Sequence, residues 1–172
     1  MNEISSELIH ELSAGMFRLI RGMIRDRDEA LDLTQDVLVR LLGRPVPTDP
    51  ALLKGYAMKA AYHAALNASR DRKRRTRIHE RLQAEAEMSG RVSADIQDSH
   101  GTARITARLR QALEQLPDKQ REAIELRFYG CLTIDETSEA MRISSGSVKV
   151  HVYRALNRLS RILSGNVKET QK

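Results

Sequence analysis

The stretch TIDETSEAMRISSGSVKVHVYRALNRLSRILS, Thr133 to Ser164, decides how the chain is read. Thr133 and Glu136 form a capping box, a hydroxyl for a free backbone N–H and a carboxylate three residues on that answers it. Ile134, Thr137, Ala140 and Met141 then recur at helical spacing. Arg142 and Ile143 form a turn, and Ser144 and Ser147 start a second, longer helix. The apolar face of that helix is Val148, Val152, Ala155, Leu159 and Ile162; its other face carries Lys149, His151, Arg154, Arg158 and Arg161. A short helix, a tight turn and a longer basic helix make the helix-turn-helix layout, whose second helix enters the DNA major groove. Taken alone, a basic helical face is usually a solvated face. Here Ser144, Ser145, Gly146 and Ser147 gather where backbone N–H groups are free and the helix dipole is positive, so Ser145 and Ser147 are candidates to hold a phosphate.

Upstream residues extend the reading. The run from Leu109 to Leu159 contains Leu116-Pro117, Glu125-Leu126-Arg127, Glu136-Thr137-Ser138, Gly146-Ser147-Val148-Lys149 and Arg154-Ala155. In this order it resembles region four of the bacterial RNA polymerase sigma factors, specifically the extracytoplasmic-function group. Ser138 stands at a usual Ala and Ser147 at a usual Thr. The resemblance implies that Lys149, Val150, Tyr153 and Arg154, with His151 beside them, face the minus-thirty-five promoter element. For Tyr153 the residues alone leave open a plain packing role against the first helix.

The chain has 172 residues and a formal charge of +6, which suits an anionic partner. Aromatics are 3% and Trp is absent, so base stacking is confined to single positions. The one cysteine, Cys131, excludes an internal disulfide and is expected to be a small packed residue. No N-terminal run resembles a signal peptide and no stretch is long enough to span a membrane, so a cytoplasmic protein without membrane insertion is expected. No triad, phosphate loop or metal-ligand set occurs, and neither enzyme activity nor a cofactor is expected. His63 has no second ligand at i+4, and His79-Glu80 lacks a His at Gln83.

The fold class expected is all-α, two small helical domains joined by a flexible linker. Residues Ser5 to Ile24 read as a helix with Met16, Phe17, Leu19, Ile20, Met23 and Ile24 buried. Asp26 caps a second helix, to about Leu42, with Ala30, Thr34, Val37, Leu38 and Leu41 toward a core. Asp28, Asp32, Gln35 and Asp36 share another face, which taken alone reads as solvated. The run DEALDLTQDVLVRLL, however, resembles sigma region two, with Leu31 at a usual Glu. The resemblance implies that the Asp28, Asp32, Gln35 and Asp36 face docks on the clamp helices of core RNA polymerase.

Gly43 to Pro50, GRPVPTDP, is a loop held extended by three prolines. It is either a stiff connector or, as the resemblance implies, the holder of a base flipped from the minus-ten element. From Ala51 to about Arg70 the chain is helical and Ala-rich. Tyr56, Lys59, Tyr62, His63, Asn67 and Arg70 mix rings, hydrogen-bonding groups and cations, as a single-stranded nucleic-acid surface requires. The resemblance makes this the melting and minus-ten helix, with Tyr56 at a usual Trp, His63 at a usual Asn and Asn67 at a usual Asp. The basic run Arg70 to Arg81, Arg74 included, is a continued helix or its frayed end; it serves phosphate contact or solubility.

Residues 1–81 are thus expected to form the region two domain, 82–101 the linker and 102–172 the region four domain, with Thr102 capping a helix, Pro117 starting another and Gly130 ending it. The reading is a sigma factor that binds core RNA polymerase and promoter DNA, helps open the duplex and is controlled from outside by an anti-sigma factor. A free-standing helix-turn-helix regulator is the alternative, and an adaptor of helical bundles the third reading; neither needs the acidic stripe or the Tyr56–Arg70 face.

Overall fold

The computed structural model describes residues 5–86 and 101–165, and every regular element among them is helical. The helices are α1 (Ser6–Met23), α2 (Arg27–Leu42), α3 (Pro50–Ala86), α4 (Gly101–Glu114), α5 (Asp118–Ile124), α6 (Ile134–Met141) and α7 (Ser145–Gly165), with a π-helical turn, Glu125–Tyr129, continuing α5. Local chemistry sets most of the boundaries. The Ser5 hydroxyl accepts from the Leu8 N–H, and the Asp26 carboxylate accepts from the N–H groups of Asp28 and Glu29. Asp49 does the same for Ala51 and Leu52, so Pro50 sits at the first helical position, where a missing N–H costs nothing. Both bonds of the Thr133–Glu136 capping box are made.

α3 is 37 residues long and absorbs the basic run, which is helical throughout. It also runs past residue 82, where the linker was expected, because no proline interrupts it and Arg, Lys, Glu and Ala are good helix formers. Of that expected linker, 87–100 lie outside the described residues. Likewise α4 begins at Gly101, one residue before Thr102, whose side chain is outside the described set.

The π-turn carries its own sequence logic. Gly130 donates to the Glu125 carbonyl, five residues back, at 3.1 Å. A Cβ on Gly130 would lie 2.7 Å from the Leu126 carbonyl oxygen, so space requires glycine here. Its φ is −77°, and the left-handed conformation falls instead on Cys131 (φ 52°) and, after α6, on Arg142 (φ 55°). Cys131 is therefore not the packed residue expected. The left-handed turn carries its side chain out to solvent, with the thiol 3.7 Å from the Phe128 carbonyl.

Two apolar clusters hold the molecule. Leu12, Met16, Leu19 and Ile20 of α1 meet Ala30, Val37 and Leu41 of α2 and Leu53, Ala57, Met58, Ala61 and Ala65 of α3. Ala112, Leu113, Leu116, Ile124, Ala155 and Leu159 form the second, between α4, α5 and α7. Leu126, Leu132, Ala140 and Met141 come from the C-terminal half but pack in the first cluster. The halves thus share a core. Gly22 of α1 shows how closely they approach: a Cβ there would meet the Tyr129 ring at 2.6 Å. Gly55 of α3 faces α6, and its Cβ would lie 3.4 Å from the Glu136 carbonyl. Glycine inside a helix costs roughly 0.5–1 kcal/mol relative to alanine, and contact with the other half offsets that cost.

Candidate nucleic-acid and polymerase interfaces

On α2, burial of Ala30, Thr34, Val37 and Leu41 turns Asp28, Asp32, Gln35 and Asp36 to solvent, as the periodicity required. Thr34, the polar member of the inner face, satisfies its hydroxyl on the Ala30 carbonyl at 2.7 Å. Asp28, Asp32 and Asp36 follow one another at i, i+4 spacing, and no ion pair among the described residues engages them. Like charges at this spacing cost an isolated helix about 0.2–0.5 kcal/mol per pair. Asp28 is offset by its place in the first turn, where the helix dipole favours a carboxylate, whereas Asp32 and Asp36 lie beyond that turn.

The α3 face is divided. Tyr56 is 43% exposed, and His63, Asn67, Arg70 and Arg74 stand in solvent. Tyr56, His63 and Asn67 line a cleft of about 230 Å³ with Arg40 and Arg44. Those two arginines escaped the sequence reading, because they lie on the end of α2 and the following loop; the signal was the α2–loop–α3 hairpin, which must fold them back on Tyr56. Arg70, Lys73, Arg74 and Arg77 line a basic hollow further along α3.

Lys59 and Tyr62 stand apart from that exposed set. Lys59 is half-buried and ion-paired with Glu122 of α5. Tyr62 is 3% exposed, with its ring edge-on to His63 at 5.5 Å. Burial pushes its hydroxyl far above the ordinary tyrosine range, and Glu125 and Glu122 push it further. Burial, then the Lys59 ammonium, holds His63 below the ordinary histidine value. Periodicity within α3 groups Lys59 and Tyr62 with the exposed residues, and the C-terminal half, with Glu122 of α5 on Lys59, is what covers them.

α7 keeps its DNA-facing candidates open. Lys149, Val150 and Arg154 are exposed, and Tyr153 is 69% exposed, so it does not pack against α6. His151 is half-buried with Nδ1 lacking a hydrogen-bond partner. The serines also serve the turn. The Ser144 hydroxyl oxygen accepts from the Ser147 N–H at 3.1 Å, and Ser145 donates to the Asp135 carboxylate at 2.7 Å, which fixes the start of α7 on α6. The sequence reading missed that use of Ser145, since Asp135 is ten residues away.

The chain that carries these surfaces is similar to known proteins. A model of sigma-70 region 2 matches residues 8–75, and one of sigma-70, region 4 matches residues 106–159. The chain is similar to RNA polymerase sigma-E factor of Streptomyces antibioticus, 29% identical over 154 residues, 89% of this chain and 81% of the relative. It is 25% identical to ECF RNA polymerase sigma factor SigM of Bacillus subtilis over 154 residues, 90% and 91% of the two chains. The chain belongs to the extracytoplasmic-function sigma factors of RNA polymerase. Two solved structures share the fold of this sigma factor. One is CnrH in complex with the cytosolic domain of CnrY, TM-score 0.65, 16% identical, covering 92% of this chain and 86% of CnrH. The other is the sigma factor RpoE with the anti-sigma factor NepR from Bartonella quintana, TM-score 0.53, 22% identical, covering 92% of each chain. The match to region 2 disfavours a free-standing regulator, which has no use for that region. No helix among the described residues is long and apolar enough to cross a membrane.

Proposed function

We propose that this sigma factor works in the cytoplasm as a non-catalytic subunit, with its roles divided by surface. Asp28, Asp32, Gln35 and Asp36 dock on core RNA polymerase. Tyr56, Lys59, Tyr62, His63, Asn67, Arg70 and Arg74, with Arg40 and Arg44 across the cleft, hold the opened minus-ten strand. Ser145, Ser147, Lys149, Val150, His151, Tyr153 and Arg154 face the minus-thirty-five duplex. The observation that carries the reading is the segregation of charge: an unpaired acidic stripe on α2 and exposed cations on α3 and α7 of one +6 chain. A polymerase-binding, DNA-reading adaptor needs both signs on separate faces. An anti-sigma factor is proposed as the controlling partner, supported by the RpoE–NepR complex sharing this fold. Co-purification with core polymerase followed by run-off transcription tests the whole reading. Binding to core without promoter-directed transcripts would overturn it.

A further inference from the structure

Where the end of α1, the middle of α3 and the second half of α4 meet, a cleft of about 300 Å³ opens, lined by Arg25, Arg72, Lys73 and Arg110 with Ser69 and Gln111 beside them. That volume is at the lower end for a small-ligand site. The charges in it do not cancel. Arg72 pairs with Glu29, and Lys73 pairs with Glu114 at 2.8 Å. Arg25 and Arg110 have no carboxylate partner among the described residues. Asp26, next to Arg25, has its carboxylate on the N–H groups of Asp28 and Glu29. Arg110 is half-buried and donates to the Gly22 and Arg21 carbonyls at 3.1 and 3.2 Å, which fixes its guanidinium against the end of α1. Burial, then the charge of Arg21 and that of Arg25, holds its pKa below the ordinary arginine value, with Tyr129 opposing. The negative end of α1 accounts for one cation on its last carbonyls. It does not account for three arginines gathered without a carboxylate.

We propose that this cleft binds a diphosphate group, as free pyrophosphate or as the end of a nucleoside triphosphate, with Arg25 and Arg110 as its main partners and Ser69 and Gln111 as neutral donors. The planar fork of arginine matches phosphate oxygens, and such charge-assisted bonds are the strong ones. A fork already fixed on backbone carbonyls loses little further freedom when the ligand arrives. An anion of two or more charges answers both unpaired guanidiniums, whereas a monovalent ion leaves one of them unmatched. The ligand touches α1 and α3 on one side and α4 on the other, so binding stabilises the folded chain by mass action. Lys73 also borders the basic hollow of Arg70 and Arg74, and the test therefore includes a nucleic-acid competitor.

The probe is sodium pyrophosphate, titrated into the full chain in magnesium-free buffer at constant ionic strength and followed by calorimetry and thermal melts. Saturable one-to-one binding and a rising melting temperature are expected. Arg25→Gln removes an exposed partner that makes no ion pair in the fold, and it should weaken pyrophosphate binding about fivefold, the upper end for an exposed charge pair. Arg158→Gln takes the same charge from the exposed side of α7 and should leave the affinity unchanged. A parallel titration with adenosine triphosphate separates the two sources. Binding at least as tight as that of pyrophosphate assigns the cleft to a nucleotide, and weaker binding assigns it to the free ion. Absence of saturable binding overturns the proposal. Displacement of pyrophosphate by equimolar sulfate overturns it as well, as does equal weakening by the two variants, since either result describes a general attraction to anions. A mixed-sequence single-stranded oligonucleotide that displaces pyrophosphate, and whose own binding Arg25→Gln weakens, overturns it too and makes the cleft part of the DNA surface.

Discussion

α3 and α7 carry the two DNA surfaces proposed for this sigma factor, and they stand differently in the same molecule. α7 packs one stripe, Val148, Ala155 and Leu159, and leaves Lys149, Val150, Tyr153 and Arg154 in solvent. α3 packs against α1 and α2 on one side and against α5 and α6 on another, so Lys59 and Tyr62 are covered while Tyr56, His63 and Asn67 are not. A duplex offers its groove edges without rearrangement, and a rigid exposed helix suits it. A single strand exists only after opening, and a surface held partly shut suits a ligand that arrives late.

The largest effect expected is on a third surface, against which both helices can be judged. Charge reversal at Asp32 and Asp36, Asp32→Lys with Asp36→Lys, should remove roughly 2–5 kcal/mol of polymerase binding. Helical circular dichroism should be unchanged, since both side chains are exposed. Retained co-purification with core polymerase would show that the stripe is only a solvated face. Next comes the shared core. Leu126→Ala should destabilise the chain by about 2–5 kcal/mol in urea unfolding, because its fully buried side chain packs with region two. If the loss falls well below that range, the halves hardly lean on one another and the contrast between α3 and α7 disappears.

Lys149→Ala and Arg154→Ala sharpen the α7 side. Each should cost about 1–3 kcal/mol of discrimination at particular bases of the upstream element, read from holoenzyme binding to a library. Uniform weakening across all sequences would make them phosphate contacts. On the α3 side, Tyr56→Ala with His63→Ala should impair transcription from a duplex promoter more than from one with a pre-opened bubble; equal loss on both would assign these rings to the fold.

Smallest is a pH effect at the join. Glu125 is 2% exposed and one of its carboxylate oxygens has no hydrogen-bond partner; the other accepts from Arg121 at 3.1 Å. Burial, opposed by Arg121 and reinforced by Glu114 and Glu122, pushes its pKa from 4.5 to about 7. A raised folded value means the native chain holds a proton that the unfolded chain has released. That contribution to stability is fully present below about pH 4.5 and is lost as pH rises toward and through 7. Glu125→Gln should flatten the stability profile in that window, as followed by thermal melts; an unchanged slope would mean Arg121 keeps the carboxylate charged.

What the sequence made legible follows physical range. The capping box, the Asp26 cap, the α2 stripe and the exposed α7 face depend on residues within one or two turns, and periodicity alone locates them. Burial of Lys59 and Tyr62 depends on Glu122 and Glu125, some sixty residues away, and no local pattern encodes that. Gly130 reads as a helix stop for the right position and a different reason: it yields to the Leu126 carbonyl, while Cys131 takes the left-handed turn. That exchange is also why Cys131 is exposed.

The fit of Tyr129 into the space at Gly22 has a consequence for exchange of parts between sigma factors. A chimera that keeps this region two and takes region four from a relative inherits a slot shaped for one aromatic ring. A smaller residue opposite Gly22 leaves a void, and any side chain at position 22 meets the ring already present. The two positions lie on either side of the linker, more than a hundred residues apart in the chain, yet they form one heritable unit. Recombination inside the linker separates them, and a functional hybrid then has to restore the pair from one parent.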